Sequence, residues 1–175
     1  MHHKPTLMQK IYTQKTIVRW SDLDANRHLA NASYMNFTSY ARIAFLRDYG
    51  ITMNDLAQYG IGPAVLHEDF SFFREAHEGE EIYITIEVGG MSEDGMIFEF
   101  NQNLYRADGT HLCSSDLIGV WFSMKERKMT IPPAEMTEKI KKSFEGRDVK
   151  VLTKMDLMRL PKRATNVDPS IFNIS

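Results

Sequence analysis

Asn31-Ala-Ser-Tyr-Met-Asn-Phe-Thr-Ser-Tyr-Ala-Arg-Ile-Ala-Phe-Leu-Arg-Asp-Tyr-Gly50 is the stretch on which the fold turns. Tyr34, Phe37, Ala41, Ala44 and Phe45 recur at helical spacing, and Met35, Ile43 and Leu46 make a second apolar face. A helix apolar on most sides is predicted to be nearly enclosed by the rest of the chain. Gly50 stops it, and Asn31 or Ser33 stands where a cap belongs.

Outward from that helix the texture is that of sheet. Ile11 to Trp20, rich in Ile, Val, Thr, Tyr and Trp, predicts a strand ahead of it. A short helix over Met53 to Gln58 follows, before Gly60, Gly62 and Pro63 break the pattern. Ala64 to Phe73 predicts the next strand. In Glu81 to Val88, Ile82, Ile84, Ile86 and Val88 alternate with Glu81, Tyr83, Thr85 and Glu87, as in a half-buried strand. Met96 to Tyr105 and Leu112 to Ser123 complete the set, joined by turns at Glu93-Asp94-Gly95 and Asp108-Gly109. The order predicts an α+β fold, an antiparallel sheet of about five strands wrapped around one long helix. Pro132 and Pro133 end the last strand, and Glu135 to Phe144 can form a helix. Residues 1–130 are thus expected to form the main domain, and 131–175 a helical or irregular extension packed on it or trailing from it.

With 175 residues, 43% of them hydrophobic and 25% charged, the chain can bury a core, and disorder, collagen and coiled coil are excluded. No run approaches the roughly 18 apolar residues of a membrane helix, and Met1 to Gln9 lacks the apolar core of a secretory signal. A cytoplasmic protein without membrane contacts is the expectation. The one cysteine, Cys113, has no partner for an intramolecular disulfide, and His2 and His3 read as a terminal accident. Residues 1–123 carry 9 of the 21 basic and 16 of the 23 acidic side chains, leaving 12 basic against 7 acidic, a net +5, in 124–175. That segment lacks the dense basic run and interleaved aromatics of a nucleic-acid surface. A solvated face, or a dock for phosphates or an acidic carrier protein, are the remaining readings.

The polar loop Arg19-Trp-Ser-Asp-Leu-Asp-Ala-Asn-Arg-His-Leu-Ala-Asn31 crowds two carboxylates, two carboxamides and an imidazole ahead of the helix. Three meanings compete. Asp and Asn gather before helices to satisfy orphan N–H groups. Asp22, Asp24 and Asn26 also occupy positions 1, 3 and 5 of a calcium loop, but Arg27 stands where its glycine belongs and Ser33 where its bidentate glutamate does. The third meaning is catalysis, in which N–H groups at the helix start polarise a carbonyl while a carboxylate attacks it or activates water.

Asp22-Leu-Asp-Ala-Asn-Arg-His-Leu-Ala-Asn-Ala-Ser-Tyr34 resembles the D-x-D-x-x-x-H-V-N-N-x-x-Y signature of hot-dog thioesterases of the 4-hydroxybenzoyl-CoA thioesterase type. It is closer still to the D-L-D-x-N-x-H-V-N-N motif of acyl-ACP thioesterases, sharing Asp22, Leu23, Asp24, Asn26, His28 and Asn31. Phe73-Arg74-Glu75 resembles the Y-R-x-E-C neighbourhood of that family. The resemblance covers roughly residues 10–125. Arg27 stands where many relatives have glycine, Ala30 replaces the first asparagine of the pair, and Ala76 replaces the cysteine after the glutamate.

By resemblance, Asp24 is the nucleophile or general base, Asn26 and His28 orient water, substrate or the carboxylate, and Glu75 is a supporting candidate. Leu29, Ala30 and Asn31 are expected to supply oxyanion amides, and Tyr34 to bind substrate. The resemblance implies release of a fatty or aryl acid from acyl-CoA or acyl-ACP by a homodimer or dimer of dimers, with no cofactor. A non-catalytic acyl-CoA-binding protein is the alternative, and a hot-dog dehydratase a third reading. His67, His77 and His111 are scattered without ligand spacing, so no metal is expected. Asp116, in an apolar strand, is read as facing outward. The 11 methionines read as core filling, or as the lining of an adaptable acyl tunnel.

Overall fold

The computed structural model describes residues 11–172, so His2, His3 and the N-terminal stretch read above lie outside it. In chain order the elements are β1 (Tyr12–Ile17), α1 (Asn31–Asp48), α2 (Met53–Tyr59), β2 (Ile61–Phe72), β3 (Glu81–Ser92), β4 (Ile97–Arg106) and β5 (His111–Ser123). After them come β6 (Lys128–Met129), α3 (Ala134–Lys141), β7 (Lys150–Leu152) and α4 (Lys154–Met158). The sheet runs β1-β3-β4-β5-β2, antiparallel along that path, with β6 paired to β5 and β7 lying parallel on β3. This is the antiparallel sheet and central helix that the sequence predicts.

The alternation in β3 is the strongest determinant. Ile82, Ile84 and Ile86 are at most 1% exposed while Tyr83, Thr85 and Glu87 between them are half-buried. Each such isoleucine stabilises the fold by roughly 1.5–3 kcal/mol. Against this face α1 sets Phe45, whose ring meets Tyr12 of β1 edge-on at 5.2 Å and Phe100 of β4 at 5.4 Å. Asp116 faces outward, as read from sequence, and its Oδ1 accepts from Asn101 Nδ2 at 2.6 Å.

Two expectations need correction. β2 begins at Ile61 and runs through Gly62 and Pro63, which the sequence suggests as breakers. It is an edge strand, paired only with β5, so a proline without an N–H is tolerated there. Nor is α1 enclosed on most sides. Met35, Tyr40 and Ile43 remain 49%, 57% and 38% exposed.

Part of the helix face that meets the sheet is polar instead. Arg42 Nη1 donates to Glu68 Oε1 on β2 (2.8 Å) and to Gln102 Oε1 on β4 (2.7 Å), while Nη2 donates to Ser39 Oγ (2.9 Å). Ser115 of β5 donates to the same Glu68 oxygen at 2.7 Å, and buried Gln102 donates to the Thr38 carbonyl at 3.1 Å. One guanidinium thereby ties α1 to β2 and β4, and the Glu68 carboxylate it pairs with is tied to β5.

The C-terminal segment packs back on the sheet through Met136, Ile140 and Leu152, all buried. Beside the bulge between Val88 and Gly90, β7 comes so near β3 that a Cβ on Gly90 would lie 2.8 Å from the Leu152 side chain. No helix among the described residues is long and apolar enough to cross a membrane.

Arg42 and Glu68 are only 11% and 9% exposed, so Arg42→Met strands a carboxylate in low dielectric. It is expected to lower the unfolding free energy by about 3–5 kcal/mol in urea denaturation. A loss below about 1 kcal/mol would mean that Glu68 finds solvent or another partner.

Candidate active site

The loop ahead of α1 is closed by its own backbone. After a 3-10 turn at Trp20–Asp22, Leu23 and Leu29 form an antiparallel bridge. Between them Asp24 N donates to the His28 carbonyl (2.9 Å), and Arg27 N donates to the Asp24 carbonyl (3.0 Å). The Asp24 carboxylate bends back into the same turn, its Oδ1 accepting from Asn26 N at 2.8 Å and His28 N at 3.3 Å. Its Oδ2 accepts no bond among the described residues.

Arg27 closes this turn at φ +64°, in the left-handed region that glycine occupies without cost. That gives a physical reason for glycine in the sequences this loop resembles.

Two further bonds seat the loop on the fold. Leu29 N donates to the Ala76 carbonyl (2.8 Å) and Ala30 N to the Asp22 carbonyl (2.9 Å). Ser33 Oγ donates to that same Asp22 oxygen at 2.8 Å, while Asp22 Oδ2 accepts from Arg19 N at 2.8 Å. Both carboxylates thus serve the loop, Asp22 half-buried on the Arg19 amide and Asp24 exposed, with one oxygen left facing solvent.

The helix start differs from expectation. The N-cap is Ala30, with no side-chain cap bond, and Asn31 is already the first helical residue. Among the expected oxyanion donors, the Leu29 and Ala30 amides are consumed by the bonds just described. Asn31 N, joined by Ala32 N, has no acceptor among the described residues. Both sit at the positive end of an 18-residue helix.

Asp24, His28, Leu29, Asn31, Tyr34 and Glu75 line one groove of about 300 Å³, so most of the residues singled out in the sequence converge. Phe72, Phe73 and Arg74 at the end of β2 form its other wall. Phe73 and Arg74 were quoted in the sequence motif for the sake of Glu75 alone, Phe72 not at all, and only their place at the end of an edge strand reveals them as wall residues. Asn26 lines a separate hollow with Trp20, Leu23, Arg27 and His77, and His28 borders both. Ala30 lines neither.

His77, passed over in the sequence as one of three scattered histidines, lies with its ring 5.1 Å from that of His28. Glu75 stands between them, Oε2 at 3.3 Å from His28 Nε2 and Oε1 at 3.6 Å from His77 Nε2.

Burial pushes the Tyr34 hydroxyl up to about 12, and burial likewise pushes the Cys113 thiol up to about 12. Neither ionises near neutrality. The groove's charged chemistry therefore rests on its carboxylates, imidazole and guanidinium.

Residues 18–142 match the family model of the thioesterase-like superfamily. The chain belongs to that superfamily. Among curated proteins none matches the sequence. Among solved structures, a hypothetical protein from Staphylococcus aureus in complex with CoA is similar at TM-score 0.74 and 15% identity, over 94% of this chain and 100% of that one. A 1,4-dihydroxy-2-naphthoyl-CoA thioesterase from Synechocystis has TM-score 0.66 and 15% identity, over 77% and 95%. A DHNA-CoA thioesterase from Staphylococcus aureus has TM-score 0.70 and 14% identity, over 80% and 97%. At such identities the likeness carries the hot-dog fold, and the superfamily model carries the kinship.

The turn geometry predicts the order of two substitutions at one site. Arg27→Gly is expected to leave the thermal midpoint unchanged or slightly raised, because relief of the left-handed strain offsets added unfolded-state entropy. Arg27→Val, β-branched at positive φ, should destabilise by about 1–2 kcal/mol. Equal stability of the two variants in calorimetry would mean that the turn does not hold this φ in solution.

Proposed function

We propose that the chain hydrolyses acyl-CoA thioesters, with the Asp24 carboxylate attacking the carbonyl or drawing a proton from water that does, and the free amides of Asn31 and Ala32 receiving the oxyanion. The observation that carries this is the meeting, in one groove, of a carboxylate with an unused oxygen and Asn31, the first residue of a helix whose opening amides are unused. A thioester suits so small an apparatus. Its sulfur donates weakly into the carbonyl and leaves readily as thiolate, so positioning and an oxyanion site are the main requirements. His28 and Glu75, on the groove wall, orient the carboxylate or the water.

The CoA-bound and DHNA-CoA-cleaving neighbours support CoA as the carrier. Acyl carrier protein is the competing carrier, which the +5 C-terminal segment would also suit. Phe72 and Phe73 offer an apolar wall to a fatty or aryl group.

Asp24→Asn retains an Oδ1 acceptor for the amides of Asn26 and His28, so the turn survives while the charge is lost. Turnover, read as thiol release, should fall at least a hundredfold with an unchanged circular dichroism spectrum. His28→Ala should cost less. Full activity of Asp24→Asn would remove Asp24 from the chemistry. Acyl-CoA binding by the wild type without turnover of any acyl-CoA or acyl-ACP would favour the non-catalytic binding reading.

The same reading makes the working unit a homodimer. Edge strand β2 leaves Val65, Leu66 and Phe72 44–48% exposed, and α1 leaves Met35, Tyr40 and Ile43 38–57% exposed. Such apolar surface, part of it on an unpaired strand edge, suits burial against a second copy. Light scattering should give twice the chain mass. Ile43→Asp with Leu66→Asp should give monomers whose kcat/KM falls roughly tenfold or more, through loss of the groove's cover. A fully active monomer would contradict the role of the second copy.

A further inference from the structure

We propose that His28, Glu75 and His77 form a site for one divalent transition-metal ion, zinc by preference, which clamps the loop before α1 to the β2–β3 connection. Among the described residues this is the group of histidine and carboxylate side chains whose ligand atoms all lie within 4.8 Å of one another. Two imidazole nitrogens and one carboxylate oxygen are the donor set that borderline metals take.

The two carboxylate-to-ring separations match a tetrahedral site, and the two ring nitrogens lie within 4.8 Å of one another. Ligands bound to zinc at about 2.0–2.2 Å in a tetrahedron stand about 3.3–3.6 Å apart. Glu75 already stands 3.3 Å from His28 and 3.6 Å from His77, through its two oxygens. Rotation of a half-exposed carboxylate brings one oxygen to both rings.

The backbone holding the donors is fixed on both sides. Leu29 N donates to the Ala76 carbonyl at 2.8 Å, joining the residue after His28 to the residue between Glu75 and His77. Arg106 Nη2 donates to the Glu75 carbonyl at 2.6 Å, and Gly79 N to the Val18 carbonyl at 2.9 Å. The fourth position would open into the hollow of about 530 Å³ lined by Trp20, Asn26 and Glu78. Water or a small ligand can complete the shell there.

Without a metal the same three groups are an ordinary ion-pair cluster, and the two cases separate cleanly. His28 and Glu75 are shared with the groove proposed for hydrolysis, so the test reads metal binding and thermal stability rather than turnover. The full chain, stripped with EDTA and dialysed, is titrated with zinc sulfate in a calorimeter. The proposal expects one equivalent to bind saturably and to raise the thermal midpoint. His77→Ala and Glu75→Gln, checked for folding by circular dichroism, should each weaken binding at least tenfold, whereas His2→Ala with His3→Ala should bind as the wild type does. Absence of saturable binding, equal affinity in His77→Ala, or loss of binding in the terminal double variant would each overturn it.

Discussion

The hydrogen bonds from Leu29 N to the Ala76 carbonyl and from Ala30 N to the Asp22 carbonyl fix the relation between loop, sheet and helix. They bring the end of the polar loop against the connection that leaves β2, and so place Asp24, His28 and Glu75 on one groove. They also decide which amides are available. With the last two loop amides spent and no side chain capping Ala30, the positive end of α1 is left to Asn31 and Ala32. An acceptor arriving in the groove would satisfy orphan donors that otherwise rely on water. The same geometry that makes an incomplete cap makes an anion site.

The helix that carries those amides is held by two kinds of contact. Phe45, between Tyr12 and Phe100, supplies the apolar anchor, and Arg42, with Glu68 and Gln102, supplies a buried polar one. Buried ion pairs add little stability by themselves, but an unpaired member is costly, so the cluster admits few alternative seatings of α1. Met35, Tyr40 and Ile43 of the same helix remain exposed.

What the sequence reveals and what it conceals divide along contact range. The isoleucines of β3 declare their face by alternation alone, and the helix from Asn31 declares itself by spacing and by Gly50. The carboxylate of Asp24 and its companions His28, Asn31 and Tyr34 lie within one short stretch, and a local motif suffices to name them. Pro63 misleads because tolerance of proline depends on whether a neighbouring strand needs its N–H, a matter of sheet order rather than composition. The capping role suggested for Asn31 fails for a similar reason. Its side chain is not required, since the loop enters the helix through bonds to Asp22 and to distant Ala76. His77 is invisible for the same cause, 49 residues from the ring it faces. Met35, Tyr40 and Ile43 look like core in a pattern that has no means of separating a buried face from an exposed apolar one.

The central claim is that an electrophilic carbonyl lies between the Asp24 carboxylate and the first amides of α1. A crystal structure with a ketone analogue of acyl-CoA, in which a methylene replaces the thioester sulfur, tests it most directly. The account predicts the ketone oxygen about 2.7–3.1 Å from the amide nitrogens of Asn31 or Ala32, with an Asp24 oxygen, or a water held by it, about 3–3.5 Å from the carbonyl carbon. An analogue bound with its carbonyl outside the groove, and Asp24 still facing open solvent, would contradict it.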